Sequence, residues 1–257
     1  MNAEIICVGS ELLLGDIVNT NAQFLSKELA LLGIDVHYQT VVGDNRQRLT
    51  EILDIAFKRC DMIITTGGLG PTKDDLTKEI VARYFKRELE FNSEAYDNIK
   101  DYFEKRFDNY KISESNKKQA YVPRDSIVIQ NTVGTAPGVI IEENNKIAVL
   151  LPGPPKEMEC VFNMAKKEHL SKISNKTIIS TNIKLKGIGE AHAADMIADL
   201  LDLENPTVAP YAKEEGLTFR VTASAKNKQD AQKLMQPIID EINKTLGEYI
   251  YEIEDVN

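Results

Sequence analysis

Short apolar runs alternate along the first half of the chain with longer stretches whose apolar residues recur three and four positions apart. Ala3 to Val8, Val36 to Val42 and Met62 to Thr66 are apolar and rich in β-branched residues, as strands buried on both faces of a parallel sheet should be. Between them, Phe24, Leu25, Leu29 and Leu32 fall on one helical stripe, with Thr20 or Asn21 as the cap and Gly33 as the stop. Leu49, Ile52, Leu53 and Ala56 mark a second helix. Further helices are predicted near Leu76 to Phe85, Ser93 to Phe107 and Ser115 to Ala120, with Ser113 to Asn116 as a loop. Short strands follow at Ile127 to Ile129, Gly138 to Glu142 and Ile147 to Leu151, the last two joined as a hairpin by Glu143-Asn144-Asn145. Pro155 can open a helix running to Lys167, because the first helical turn needs no N–H partner. The alternation predicts an α/β fold: a doubly wound, mostly parallel sheet with helices on both faces and loops gathered at its carboxyl edge.

The order of elements changes after a polar stretch, Ser171 to Lys176, read as the boundary between a domain of residues 1–170 and a smaller one of residues 171–257. Beyond it the pattern is strand Thr177 to Lys186, helix Glu190 to Leu201, strands Pro206 to Tyr211 and Leu217 to Ala225, helix Lys228 to Leu246 and strand Glu248 to Tyr251. That is a split βαβ arrangement, a small α+β domain with helices on one face. The acidic end, Glu252 to Asn257, is expected to be poorly ordered.

Composition narrows the function. No apolar run is long enough to span a membrane and no basic n-region precedes Ile5-Ile6-Cys7-Val8, so a cytoplasmic protein without a membrane partner is expected. Cys7, Cys60 and Cys160 are scattered and read as reduced structural thiols, and His37, His169 and His192 lack metal-ligand spacing. Any metal would therefore be held by oxygen ligands, which favours magnesium, manganese or a similar ion. A net charge of -9 argues against a nucleic-acid partner.

The candidate chemistry centres on Thr66-Gly67-Gly68-Leu69-Gly70-Pro71-Thr72-Lys73-Asp74-Asp75. Glycines after a buried strand let the backbone approach a ligand and turn N–H groups toward it. Thr72 followed three residues later by Asp75 fits a capping box, which would start a helix there and present its positive end to the same anion. No Walker A or dinucleotide fingerprint is present. The plainer alternative is a tight turn followed by a helix start that Asp74 and Asp75 favour by roughly 0.3 to 1 kcal/mol each. Glu11 and Asp44 also follow strands, so both should share the edge with this loop. Gly153, Pro154 and Glu157 form another strand-to-helix mouth.

Gly9-Ser10-Glu11-Leu12-Leu13-Leu14-Gly15, Ile17-Val18-Asn19-Thr20-Asn21-Ala22, Val42-Gly43-Asp44-Asn45, the glycine loop and Leu151-Pro152-Gly153-Pro154-Pro155 together closely resemble the competence/damage-inducible protein A family. The first domain also looks like the molybdopterin-binding domain of the MoaB/MogA type. Gly187-Ile188-Gly189-Glu190 and Asn205 to Tyr211 resemble the family's KH-like module. The resemblance implies an ADP-ribose pyrophosphatase that splits the diphosphate to AMP and ribose 5-phosphate, with a divalent ion (magnesium, manganese or cobalt) as cofactor. The residues agree physically, because Asp74 and Asp75 would repel a diphosphate unless a cation intervened.

Asp75 or Asp74, together with Asp44, is assigned as metal ligand or water-positioning base, Lys73 as a phosphate clamp and Glu11 as a further ligand or base. Gly67, Gly68, Leu69, Gly70, Pro71 and Thr72 would hold the phosphates, and Gly153, Pro154 and Glu157 would complete the mouth. Asn19 and Asn21 are candidates for the ribose or base, with helix capping by Asn21 as the competing role. The competing function is a nucleotide- or molybdopterin-binding domain without chemistry that acts through protein partners. Many family members carry a third domain that deamidates nicotinamide mononucleotide; the sequence ends at Asn257, and that activity is expected to be absent. A homodimer is expected, with the small domain serving packing or dimerisation.

The small domain has Gly187 and Gly189 one residue apart in place of the Gly-x-x-Gly that clamps RNA. Filter binding to single-stranded RNA at physiological salt is therefore expected to be weaker than about 1 μM. Salt-sensitive binding tighter than that would overturn the expectation.

Overall fold

The computed structural model describes residues 1–107, 111–173, 176–213 and 216–256. Its backbone divides into two compact units, Met1–Leu29 with Ile34–Ile173, and Ala30–Gly33 with Ser174–Asn257. In chain order the first unit contains β1 (Asn2–Val8), α1 (Ser10–Leu14), α2 (Thr20–Leu31), β2 (Asp35–Val42), α3 (Arg46–Arg59), β3 (Met62–Thr66) and α4 (Thr77–Tyr84). It continues with β4 (Leu89–Phe91), α5 (Ser93–Glu104), α6 (Glu114–Lys118), β5 (Tyr121–Pro123), β6 (Ile127–Ile129), β7 (Gly138–Glu143) and β8 (Lys146–Leu151). α7 (Pro155–Ala165) then passes through a π-helical turn at Lys166–Leu170 into α8 (Ser171–Ile173).

The main sheet has the order β2-β1-β3-β8-β7-β6. The first four strands run parallel, and the hairpin β7-β8 adds the antiparallel edge, as the sequence pattern predicts. Every residue of β3 is buried, because helices cover both faces of the sheet. On one face Ile6, Val8, Ile63 and Leu150 pack against Leu49, Leu53, Ala56 and Phe57 of α3 and Ile80 and Val81 of α4. Alternation sends Ile5 and Ile64, both fully buried, to the other face. There Phe24 of α2 meets Phe162 of α7 edge-on, with ring centroids 5.9 Å apart.

α3 shows why such a helix forms where it does: Asn45 caps it by accepting the Arg48 N–H at 3.0 Å, and Lys58 and Arg59 sit at its negative end. Arg59 then reaches back to Glu4, which is fully buried in β1. Its Nε and Nη2 donate to the two carboxylate oxygens at 2.9 and 2.7 Å, and Thr40 Oγ1 donates at 2.6 Å. The guanidinium also lies 3.6 Å from the centroid of Tyr38.

The second unit contains β9 (Thr177–Leu185), α9 (Glu190–Met196), α10 (Ala198–Leu201), β10 (Thr207–Lys213), β11 (Gly216–Ala225), α11 (Lys228–Leu246) and β12 (Ile250–Asp255). Its antiparallel sheet has the order β10-β11-β9-β12, the split βαβ topology that the pattern predicts.

Several local expectations are corrected. Thr72 does not start a helix: α4 begins at Thr77, for a reason given with the site. Ser113 to Asn116 is no loop, because Ser113 caps α6 in a reciprocal capping box with Asn116. The expected helix Glu190 to Leu201 breaks at Ile197, whose φ of -124° is not helical. The acidic end is ordered as β12 because Lys184 binds Glu252 and Glu254, each at 2.9 Å, and Thr181 donates to Asp255 at 2.7 Å. The polar boundary stretch starts as helix through Ile173; its Ser174 and Asn175, like Asn257 of the acidic end, lie outside the described residues. The short antiparallel partners β4 and β5, separated in the chain by α5 and α6, carry no sequence signal strong enough to find them.

Arg59→Met leaves the Glu4 carboxylate buried with only Thr40 as donor, so it is expected to lower the melting temperature by several degrees. Glu4→Met combined with Arg59→Met is expected to recover most of that loss, because the penalty lies in the unpaired charge. Thermal melts of the two variants check it.

Candidate active site

A cleft of about 550 Å³ opens at the carboxyl edge of the main sheet. Glu11 enters it after β1, Asp44 after β2, Gly67 to Thr72 with Asp74 and Asp75 after β3, and Pro152 to Pro155 with Glu157 after β8. Convergence follows from the parallel topology, which delivers every strand's exit loop to one side.

Two glycines make the central loop possible. Gly67 has φ 105°, and a Cβ there would run into the carbonyl oxygen of Val8. Gly68 has φ 69° and faces Thr77 Oγ1 just as closely. The Gly67 N–H is committed to Leu151 O at 3.1 Å, and the Thr77 N–H to Gly68 O at 3.1 Å. The N–H groups of Gly68, Leu69 and Gly70 meet no acceptor among the described residues and so remain for a ligand.

The loop then closes on itself. Asp75 Oδ2 accepts the Thr72 N–H at 2.8 Å and its hydroxyl at 2.6 Å. No backbone N–H donates to the Thr72 hydroxyl among the described residues, so only the Asp75 half of the expected capping box forms, and α4 starts after the loop, at Thr77. Lys118 Nζ secures the same turn from outside, donating to the carbonyls of Thr72 at 2.9 Å and Asp75 at 2.5 Å.

Asp44 is held in a similar way: its Oδ2 accepts from the Ser10 N–H at 3.0 Å and the Ser10 hydroxyl at 3.1 Å. Oδ1 of Asp44 and Oδ1 of Asp75 have no hydrogen-bond partner among the described residues. Each carboxylate is thus fixed by one oxygen and offers the other. Glu157 is oriented by Asn131, whose Nδ2 donates to it at 2.6 Å while its Oδ1 takes the N–H groups of Val133 and Gly134. Glu11 and Asp74 are exposed in the lining. Lys73 is exposed and outside it.

Asn19 and Asn21 line a small hollow that shares Val8, Glu11, Ile17, Gly153 and Pro155 with the cleft. Asn19 is the residue that caps α2, its Oδ1 accepting the Ala22 N–H at 3.1 Å, so neither Thr20 nor Asn21 does so. Asn21 donates its amide to Thr66 Oγ1 at 2.9 Å and Gly153 O at 2.8 Å.

Sequence reasoning missed Ser10, Asn131, Lys78, Lys118 and Gln119. Asn131 had a local signal, an asparagine before Thr132-Val133-Gly134, which fits an Asx turn. The others act over 34 to 50 residues of chain and had none.

Among the described residues five carboxylates line the cleft (Glu11, Asp44, Asp74, Asp75 and Glu157), and no lysine or arginine does. Among the described residues no three histidine, cysteine, aspartate or glutamate side chains gather closely enough to cage a metal. The donor set suits a hard cation that takes one or two carboxylates and completes its shell with phosphate oxygens and water.

Behind the loop, Lys78 is buried and donates to the carbonyls of Lys118 at 3.0 Å and Gln119 at 3.1 Å. Burial pushes its ammonium down to about 8, with Glu79 opposing and Lys118 adding to the fall. Between about pH 8 and its ordinary 10.5 the unfolded chain binds the extra proton, so stability rises with pH across that window. Lys78→Met is expected to remove this rise, measured by urea unfolding of both chains at a series of pH values within it.

A family model described as a probable molybdopterin binding domain matches residues 4–172, and one described as the damage-inducible protein CinA KH domain matches residues 180–251. Proteins named competence-damage inducible protein are similar at 54% identity over 252 residues in Clostridium perfringens and 51% over 258 residues in Clostridium beijerinckii. These alignments cover 98% and 100% of this chain, and the chain spans 61% and 62% of the length of those curated relatives. The crystal structure of the protein CinA from Thermoplasma acidophilum superposes with a TM-score of 0.59 at 36% identity, covering 65% of this chain and 98% of that one. No helix among the described residues is long and apolar enough to cross a membrane. The chain belongs to the competence/damage-inducible protein family, a probable molybdopterin binding domain followed by a CinA-type KH domain.

Proposed function

We propose that the first unit hydrolyses the diphosphate of ADP-ribose to AMP and ribose 5-phosphate in a metal-dependent reaction. One observation carries the reading: three unclaimed backbone N–H groups lie in a loop flanked by two carboxylates, each fixed through one oxygen with the other left open. A passive anion site gains nothing from five carboxylates, which repel the ligand. A divalent ion would be held by Asp44 and Asp75 with Glu11 in reach of the same cleft, and there it supplies charge neutralisation, a polarised phosphoryl oxygen and a more acidic water.

The chain's own groups do the rest. The N–H groups of Gly68, Leu69 and Gly70 hold phosphoryl oxygens and take up charge as it grows. A carboxylate of Asp74 or Glu11, neither of them tied by the loop, accepts a proton from the attacking water as its oxygen bonds to phosphorus. The bridging P–O bond then breaks, leaving two phosphate monoesters. ADP-ribose as the substrate rests on the family resemblance, and the cleft supports the class, a diphosphate with two organic ends.

Chelation is expected to abolish hydrolysis and a divalent ion to restore it. Asp75→Asn keeps an oxygen for the Thr72 donors, so the melting temperature should hold while kcat falls by about 100-fold. Asp44→Asn should behave alike, and the double variant should lose less than the sum of the two. Hydrolysis by both variants at the parent rate in saturating metal would sink the proposal. A parent that binds ADP-ribose without splitting it would favour a non-catalytic nucleotide- or molybdopterin-binding role.

A further inference from the structure

Gln119 closes the cleft wall beneath the glycine loop and is only 1% exposed. Its Nε2 points at Leu69 O, 3.4 Å away, on the middle residue of the loop. Its Oε1 is buried and has no hydrogen-bond partner among the described residues. The backbone is pinned on both sides: the Gln119 N–H caps α6 through Asn116 O at 3.1 Å, and its carbonyl takes Lys78 Nζ at 3.1 Å. Buried acceptors in folded proteins are nearly always paired. Of the five buried side-chain atoms without a partner among the described residues, only Gln119 Oε1 belongs to a residue that lines the cleft, where a donor can arrive from outside.

The chemistry of that donor is constrained. A phosphate at neutral pH carries no proton to give, and an amide oxygen beside it would repel it, so the partner belongs to an organic end of the ligand. Gln119 lies two residues before β5, which packs against β7, and Thr135 and Ala136 of the same wall lead into β7. In the sheet β7 is separated from β1 by β3 and β8. At the β1 end Leu12, Ile17 and Val18 lie along the adjoining hollow beside Asn19 and Asn21, an apolar surface with amide groups at its side, which suits a purine base. At the β7 end Gln119, Thr135 and Glu157 offer polar groups beside Ala136, which suits a sugar.

We infer that Gln119 is a ligand-positioning residue whose Oε1 accepts a hydrogen bond from a hydroxyl of the terminal pentose, on the side of the diphosphate away from the base. The inference rests on the diphosphate reading for the kind of ligand but not on turnover. Gln119 thereby distinguishes a nucleoside diphosphate sugar from a nucleoside diphosphate.

The test uses two ligands that cannot be hydrolysed at the bridge, the α,β-methylene analogues of ADP-ribose and of ADP, titrated calorimetrically with magnesium into the parent and Gln119→Met. Loss of one buried hydrogen bond should weaken the ADP-ribose analogue by about tenfold. The ADP analogue, held by the same loop but lacking the pentose, should change less than about twofold. A residue that merely braces Leu69 would weaken both equally, and that result overturns the inference, as does no change in either or no binding of either by the parent. If Gln119→Met does not fold, Gln119→Asn withdraws the carbonyl by one methylene and carries the same comparison. Because both ligands resist hydrolysis, a parent that fails to hydrolyse ADP-ribose counts against the proposed function alone.

Discussion

The amide of Asn21 ties the working edge of the first unit together. Its two hydrogens go to Thr66 Oγ1 and Gly153 O, and the Thr66 hydroxyl donates onward to Pro152 O at 2.8 Å. Two neighbouring strand ends, those of β3 and β8, are thereby held in one plane by a side chain from α2. Gly67 can press against the carbonyl of Val8 because its neighbours are fixed in this way. Loosen that junction and the glycine loop has no floor, the carboxylates of the other loops lose their common target, and the cleft ceases to be a site.

Electrostatics gives the cleft its character. Side chains bring negative charge, while the positive partial charges come from backbone N–H groups that cannot diffuse away. Lys78 and Lys118, which brace the loop from behind, are spent on backbone carbonyls, and Lys73 within it is exposed and outside the cleft lining. The proposed metal dependence rests on this pairing, since an anion held by the N–H groups beside so many carboxylates would call for a counter-cation.

Much of the site was legible because the residues that matter follow strands. Glu11, Asp44, Gly67 to Asp75 and Gly153 to Glu157 could be assigned to one edge from the alternation of strand and helix alone, since parallel strands have no other place for their exit loops. Local conformation was less legible. Thr72 and Asp75 have the spacing of a capping box, yet no helical N–H reaches the Thr72 hydroxyl, and only the Asp75 carboxylate closes on the Thr72 N–H and hydroxyl. The acidic end reads as a solvated tail until Lys184 of another strand is placed between Glu252 and Glu254.

The sequence by itself determined most of the elements, their order, the class of each unit and the place of the glycine loop at a strand-to-helix junction, because hydrophobic period, glycine content and strand-to-helix junctions are local properties. Only the tertiary structure decided which polar groups are spent and which are free. Whether the Gly67 N–H is available depends on Leu151, whether Asp44 is ordered depends on Ser10, and whether Gln119 has an open oxygen depends on Leu69 and Lys78. Hydrogen-bond partners far apart in the chain leave no periodicity to read, so the difference between a residue that binds and one that braces appears only when the fold has brought them within 3 or 4 Å.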